Sequence, residues 1–335
     1  MRAPAIELVD CNNISESEWH EWRRKGIGGS DVATILGVSP FNTRRDLYYS
    51  KKGVLKPDDT NWVAKEVGHR LESLVAEIFY RKTNLKPYQI NKMFQHPFYL
   101  WMLANVDYFV TLRNGKRAIL ECKTSNLHNK AKWNGSAVPL NYELQCRFYM
   151  AVLDIDVAFI ACLFSNNDGD FVWRKIERNL DYEKDIIASC EKFWNEYIVK
   201  NVAPPYVEKS SLILASLQRL HGNANPLLPK VRLNPALLHV IKNIDELKEQ
   251  KALLEEQVKA ITERIDDNKW LIIEEMATAT EGYVKKGNEE YSVTYKPTFK
   301  TVVDKDILKA QFSDAYKASV SEKEGNRTLR YKIAK

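Results

Sequence analysis

Residues 105–123 read NVDYFVTLRNGKRAILECK. Runs of β-branched, aromatic and aliphatic residues flank Asn114-Gly115, the strongest short hairpin signal. The stretch is therefore expected to form two antiparallel strands, Val106–Leu112 and Ala118–Lys123. Strands this apolar are buried, yet Asp107 lies on the first and Glu121 and Lys123 on the second. Side chains alternate along a strand, so Glu121 and Lys123 share a face and Cys122 points away. Charges in such a setting need compensation. A divalent metal supplies it, because two carboxylates bind Mg²⁺ through hard oxygen ligands and leave several waters in place. A lysine beside them can position the attacking water and stabilise charge on a phosphate. The loop decides whether these groups meet. A two-residue turn would set Asp107 against Cys122, on the wrong side of the sheet. A three-residue loop, Arg113-Asn114-Gly115 with Gly115 left-handed, sets it opposite Glu121.

A third carboxylate comes from the helix expected over 61–82. Its stripe of Val63, Val67, Leu71, Leu74, Val75, Ile78 and Phe79 is amphipathic. Glu72 lies on the Gly68–Ala76 line at four-residue steps, on the apolar side, where a lone charge is costly. It is either a further metal ligand or a glutamate at the edge of the stripe reaching water. Upstream, WRRKGIGGSDVATILG (22–37) runs basic residues into three glycines, then Ser30 and Asp31. Gly26, Gly28 and Gly29 would let backbone N–H groups approach an anion at the positive end of a helix from Asp31, and Arg24 would add a bidentate contact. The alternative is an ordinary capped turn.

The remaining pattern is of mixed type. A capping box at Ser15–Glu18 opens a short helix through Trp22, and a helix follows around Arg44–Lys51. Phe98–Leu103 reads as a strand. Helices over Asn141–Leu153 and Asp181–Val199 bracket a second hairpin, Asp156–Phe164 with Phe171–Arg178. This order gives an α/β (α+β) class: a mixed central sheet flanked by helices over residues 1–205. NVAPPYVE marks a boundary, with a weakly patterned linker at 206–236. From Val240 to Ile272, steps of four and three place Val240, Ile244, Leu247, Lys251, Leu254, Val258, Ile261, Ile265, Asn268 and Ile272 on one seam. Residues 237–277 are thus a coiled coil or helical arm, or one amphipathic helix on a surface. A small basic α+β unit is expected over 281–335, with a last strand at 326–333. The formal charge of +6 tolerates a polyanionic partner without demanding one. No apolar run reaches membrane-spanning length. Five cysteines without a secretion signal point to free thiols in a reducing cytoplasm.

Taken together, Glu72, Asp107 and Glu121-Cys122-Lys123 resemble the active site of the PD-(D/E)XK nuclease superfamily. WRRKGIGGSD (22–31) resembles the start of the YqaJ-type viral recombinases, the group containing phage lambda exonuclease. Their closing element, a helix bearing Tyr and Gln, is matched by NYELQCRFYM with Tyr142 and Gln145. The likeness spans roughly residues 15–200 in five ordered elements. It departs in two places: Asn105-Val106 precede Asp107 where proline is usual, and Cys122 stands between Glu121 and Lys123. The resemblance implies a restriction-endonuclease-like core followed by the long helical segment. It implies a Mg²⁺-dependent exonuclease, with Mn²⁺ a substitute and two ions bound, that digests one strand of duplex DNA from a 5′ end. Metal ligands would be Glu72, Asp107, Glu121 and the backbone carbonyl of Cys122. Lys123 and Gln145 would be catalytic, Tyr142 supporting, and Arg24 with Ser30 would hold the substrate phosphate. Implied partners are double-stranded DNA ends, a single-strand annealing protein and further copies of the chain, in lambda exonuclease a trimeric ring. The setting would be the cytoplasm of a bacterial host, for a phage or prophage protein. A structure- or site-specific endonuclease of the same fold, and a non-catalytic DNA-binding assembly protein, are the competing readings.

Overall fold

The computed structural model describes residues 3–55, 62–222, 227–297, 305–314 and 316. The chain divides into two units, Met1–Asn223 and Ala224–Lys335. In the first, β1 (Ile6–Asp10) precedes α1 (Glu16–Arg24), which opens on the expected capping box between Ser15 and Glu18. A short β2 (Ile27–Gly28) runs into α2 (Gly29–Ile35), followed by α3 (Arg44–Lys51) and α4 (Trp62–Thr83). Strands β3 (Pro87–Tyr88), β4 (Lys92–Gln95), β5 (Met102–Ala104), β6 (Tyr108–Thr111) and β7 (Arg117–Thr124) come next. Then α5 (Leu140–Leu153), β8 (Val157–Leu163), β9 (Phe171–Glu177) and α6 (Leu180–Phe193) lead through a π-helical turn at Trp194–Val199 to α7 (Ser210–His221).

The central sheet is mixed, in the order β3-β6-β7-β8-β9. Two antiparallel hairpins, β6-β7 and β8-β9, are joined edge to edge by the parallel pair β7-β8, with α5 as the crossover. A smaller sheet, β1-β4-β5-β2, stands beside it. The alternation on β7 sorts the core. Ala118, Leu120 and Cys122 pack with Val75, Ala76 and Phe79 of α4. Ile119 lies on the other face with Leu144 and Phe148 of α5. Glu121 and Lys123 are on this second face, as the period of two requires.

The β6-β7 register pairs Tyr108 with Leu120 and Val110 with Ala118. That register needs three loop residues, and Leu112 N–H donates to Lys116 O at 2.8 Å around a left-handed Gly115 (φ +77°). The longer loop is therefore the one formed, and continuing the ladder by one step sets Asp107 level with Glu121.

Three expectations change. The strand expected at Phe98–Leu103 is formed only at its end, in β5, and a tight turn precedes it: Pro97 has no N–H to give a ladder, and His96 Nδ1 accepts from the Phe98 and Tyr99 N–H groups. The stripe on α4 is covered only in part, since Val63, Val67 and Leu74 are exposed while Val75 and Phe79 are fully buried. The linker begins later than 206. Buried Asp46 on α3 accepts from Ser216 Oγ at 2.8 Å and pairs with Arg219 at 2.7 Å, clasping α7 into the first unit.

In the second unit α8 (Leu237–Met276) is one unbroken helix of 40 residues. Strands β10 (Glu281–Lys286) and β11 (Glu289–Thr294) form a hairpin, and α9 spans Lys305–Gln311. The strand expected at 326–333 lies outside the described residues. Among the described residues no helix is long and apolar enough to cross a membrane.

Candidate active site

At the end of β7 where β6 begins, the two faces of the central sheet open into a cleft of about 590 Å³. Glu121, Lys123 and Gln145 line it from the α5 face, and Glu72 and His69 reach it from α4 on the other. Asp107, just before β6, lies between them, and its Oδ2 accepts from the Cys122 backbone N–H at 2.8 Å. One cleft thus gathers the three carboxylates and the lysine that the sequence separates.

Glu121 is only 1% exposed. Its Oε1 accepts from Lys123 Nζ at 2.6 Å and from Gln145 Nε2, while its Oε2 is buried without a hydrogen-bond partner among the described residues. Gln145 is steadied by Tyr149, whose hydroxyl lies 3.3 Å from the same amide nitrogen. Burial and then the neighbouring Asp107 push the Glu121 carboxyl up to about 8. Burial likewise raises Asp107, and burial followed by Asp107 raises Glu72. Burial works against the Lys123 ammonium, but Glu121 and Asp107 outweigh it and hold its pKa above the ordinary lysine range. Lys123 is therefore a fixed positive charge rather than a proton acceptor.

Excess negative charge in a buried spot, with one carboxylate oxygen left bare, suits a hard cation that keeps most of its waters. Glu121, Asp107 and Glu72 are the groups available to hold one. Among the described residues, however, no three His, Cys, Asp or Glu side chains form a closed ligand cluster, because Glu121 is turned onto Lys123 and Gln145. The backbone of Cys122 faces Asp107 through its N–H, and in a strand the carbonyl of the same residue points the same way.

The glycine-rich turn contributes another part of the lining, packed against Gln145 and Tyr149 of α5. Here Arg23, not Arg24, enters the cleft: its Nη2 donates to Ser30 Oγ at 2.8 Å, and its guanidinium stacks over Trp19 at 4.9 Å. Arg24 points elsewhere, with Nη2 3.7 Å from Glu21 and its side chain beside Gly53. Trp19 and Arg23 are one helical turn apart on α1, and that i, i+4 spacing is the signal that selects Arg23. Sequence reading also missed Lys51 and Asp31. They form a buried pair at 2.7 Å, and Asp31 Oδ2 accepts from Gly28 N–H at 2.9 Å. Burial disfavours the Asp31 charge, yet Lys51 and Arg23 keep its pKa below the ordinary range. The glycines serve packing more than anion approach. A Cβ on Gly26 would meet Trp101 O at 2.6 Å, and one on Gly29 would meet the Tyr149 ring at 2.6 Å. Tyr142 is half-buried against Trp133 and stands 5.5 Å from Lys123 Nζ, outside the cleft lining.

Residues 18–156 match the YqaJ-like viral recombinase domain family. Among solved structures, an alkaline exonuclease from Laribacter hongkongensis is similar at 17% identity and a TM-score of 0.47, over 55% of this chain and 93% of that one. A phage-related exonuclease from Haemophilus somnus 129PT is similar at 15% identity and a TM-score of 0.38, over 55% of this chain and 99% of that one. The uncharacterized protein YqaJ of Bacillus subtilis (strain 168) is 31% identical over 312 residues, 92% of each chain. With that identity along almost its whole length, and the family's domain over the part that builds the cleft, the chain belongs to the YqaJ-like viral recombinase family.

Proposed function

We propose that this chain is a Mg²⁺-dependent deoxyribonuclease that digests one strand of duplex DNA from a 5′ end. The observation that carries the reading is the pairing of two walls in one cleft. An acidic group with a bare, buried Glu121 oxygen and a fixed Lys123 charge shares its lining with the Arg23–Ser30 pair. Mg²⁺, held by Asp107 and Glu121 with Glu72 as the further carboxylate and the Cys122 carbonyl nearby, would supply charge neutralisation and water activation. Two such ions fit the number of carboxylates, and Mn²⁺ would serve in their place. Lys123 lies beside the metal carboxylates as a permanent cation, so it orients the attacking water and offsets charge on the phosphoryl oxygens. Gln145 holds Glu121 in place, and Tyr142 and Tyr149 brace that corner. Arg23 and Ser30 would hold the phosphate at the 5′ end. Hydrolysis joins a water oxygen to phosphorus and releases the sugar oxygen of the neighbouring nucleotide. The strand left behind suits hand-over to a single-strand annealing protein.

A cheap experiment separates this from an endonuclease. With Mg²⁺, linear duplex DNA is expected to release mononucleotides and leave single-stranded DNA, while covalently closed circular duplex of the same sequence stays intact. Cleavage of the closed circle would replace the end-dependent reading with an endonuclease, and inertness towards both would leave only a binding role.

A thermal experiment reads the metal without catalysis. Glu121, Asp107 and Glu72 all have folded pKa values above their unfolded ones, so their contribution to stability is full at low pH. It is lost as pH rises from the ordinary carboxylate range through about 8, where Glu121 ionises. A cation displaces the protons, so its stabilisation grows with pH. Millimolar Mg²⁺ is expected to raise the melting temperature clearly at pH 8.5 and little at pH 5.5 by scanning calorimetry. An equal rise at both would place the ion elsewhere.

A further inference from the structure

The second unit poses a separate physical problem. Helix α8 has no buried residue over its 40 positions, yet it carries a seam that is apolar at eight of its ten positions. Leu247, Leu254, Val258 and Ile261 are 54–62% exposed. Most helices in water draw their stability from packing such a face rather than from propensity. The seam runs from Val240 to Ile272, between four and five heptads, which is enough for a stable coiled coil.

The order within the seam selects the occupant. Ile244, Lys251, Val258, Ile265 and Ile272 occupy the a positions, and Val240, Leu247, Leu254, Ile261 and Asn268 the d positions. β-Branched residues at four of the five a positions, with Leu247 and Leu254 at d, favour two parallel strands. The two polar positions fix direction. In an antiparallel pair centred on the seam, Lys251 would be set against Ile261 and Asn268 against Ile244, so four layers would mix polar with apolar. In a parallel, in-register pair Asn268 meets Asn268 and Lys251 meets Lys251, and the other eight layers stay apolar. Lys251 tolerates its own copy because Glu255, one turn on, draws its ammonium outward at 3.3 Å.

We infer that α8 is a self-association element: two copies of this chain pair through residues 240–272 as a parallel, in-register, two-stranded coiled coil. The pairing rests on the second unit alone and stands whatever chemistry the cleft performs. It differs from the ring-shaped trimer that the family likeness implies.

The test uses the full chain. Sedimentation or light scattering is expected to give the mass of two chains at micromolar concentration. Leu254→Glu with Ile261→Glu is expected to give one chain, with dissociation constants at least about a hundredfold higher, while the melting transition of the first unit is unchanged. Leu247→Cys is expected to cross-link to its own copy on mild oxidation, above the level given by wild type. Overturning results are a single chain at 100-fold higher concentration, a mass of three chains, or an undiminished dimer in the double variant. Cross-linking of Leu247→Cys only when mixed with Ile265→Cys would equally overturn it, since that pair meets in the antiparallel arrangement.

Discussion

Asp107→Asn is expected to remove Mg²⁺-supported digestion of linear duplex DNA, by at least about a hundredfold, without harming the fold. The two halves of this result have one cause. Asp107 accepts the Cys122 N–H at 2.8 Å, a bond an asparagine oxygen can also accept. What the substitution removes is a negative charge that the buried site disfavours, as the raised pKa of Asp107 indicates. Its loss also eases Glu121 and Glu72, both of which Asp107 pushes upward. Lys123 keeps its direct partner Glu121 at 2.6 Å, so no buried cation is stranded. In metal-free buffer at pH 8 the melting temperature should hold or rise; each kcal/mol of relief is worth about 2–4 °C in a unit this size. The Mg²⁺-dependent rise at pH 8.5 should vanish. Calorimetry and a digestion assay on one preparation check both. Retained digestion would remove Asp107 from the chemistry, and a collapsed fold would make it a structural residue.

Arg23→Gln and Arg24→Gln are expected to separate sharply, although the residues are neighbours. Behind the cleft lining, Asp31 carries one negative charge against two cations, Lys51 at 2.7 Å and Arg23 at 3.6 Å. Lys51 is the closer and more buried partner, so the Arg23 charge is left over for an incoming anion. Its guanidinium is pre-set by the Trp19 face and the Ser30 hydroxyl, which lowers the ordering cost of a phosphate contact. A hydrogen bond to a charged group contributes about 1.5–3 kcal/mol. Arg23→Gln should therefore raise KM for 5′-phosphorylated ends roughly ten- to hundredfold, with kcat changed less. On 5′-hydroxyl ends it should differ little from wild type. Arg24→Gln should match wild type on both, because Arg24 faces Glu21 and Gly53. If wild type itself ignores the terminal phosphate, the Arg23–Ser30 wall has another task.

Much of the local structure was legible in the linear pattern. The capping box at Ser15, the β6-β7 hairpin and its three-residue loop, and the heptad seam of α8 all follow from short-range chemistry: side-chain caps, a left-handed glycine and helical period. The pairing of Glu121 with Lys123 on one face needed only the strand's period of two. Other features depended on neighbours distant in sequence. The short edge strands β1, β2 and β3 have little pattern of their own and exist because a partner strand offers hydrogen bonds. Helix α7 has the look of linker in the linear pattern because its anchor, Asp46, lies about 170 residues away.

The sequence by itself determined which residues carry charge on otherwise apolar strands, and that a loop of three residues would set Asp107 level with Glu121. Tertiary structure alone decided that Glu72 reaches the same cleft from the opposite face of the sheet, that Glu121 is turned onto Lys123 and Gln145, and that Arg23 rather than Arg24 faces Ser30. The reason is physical: a period settles which way a side chain leaves its own element, whereas what it meets is set by packing between elements far apart in the chain.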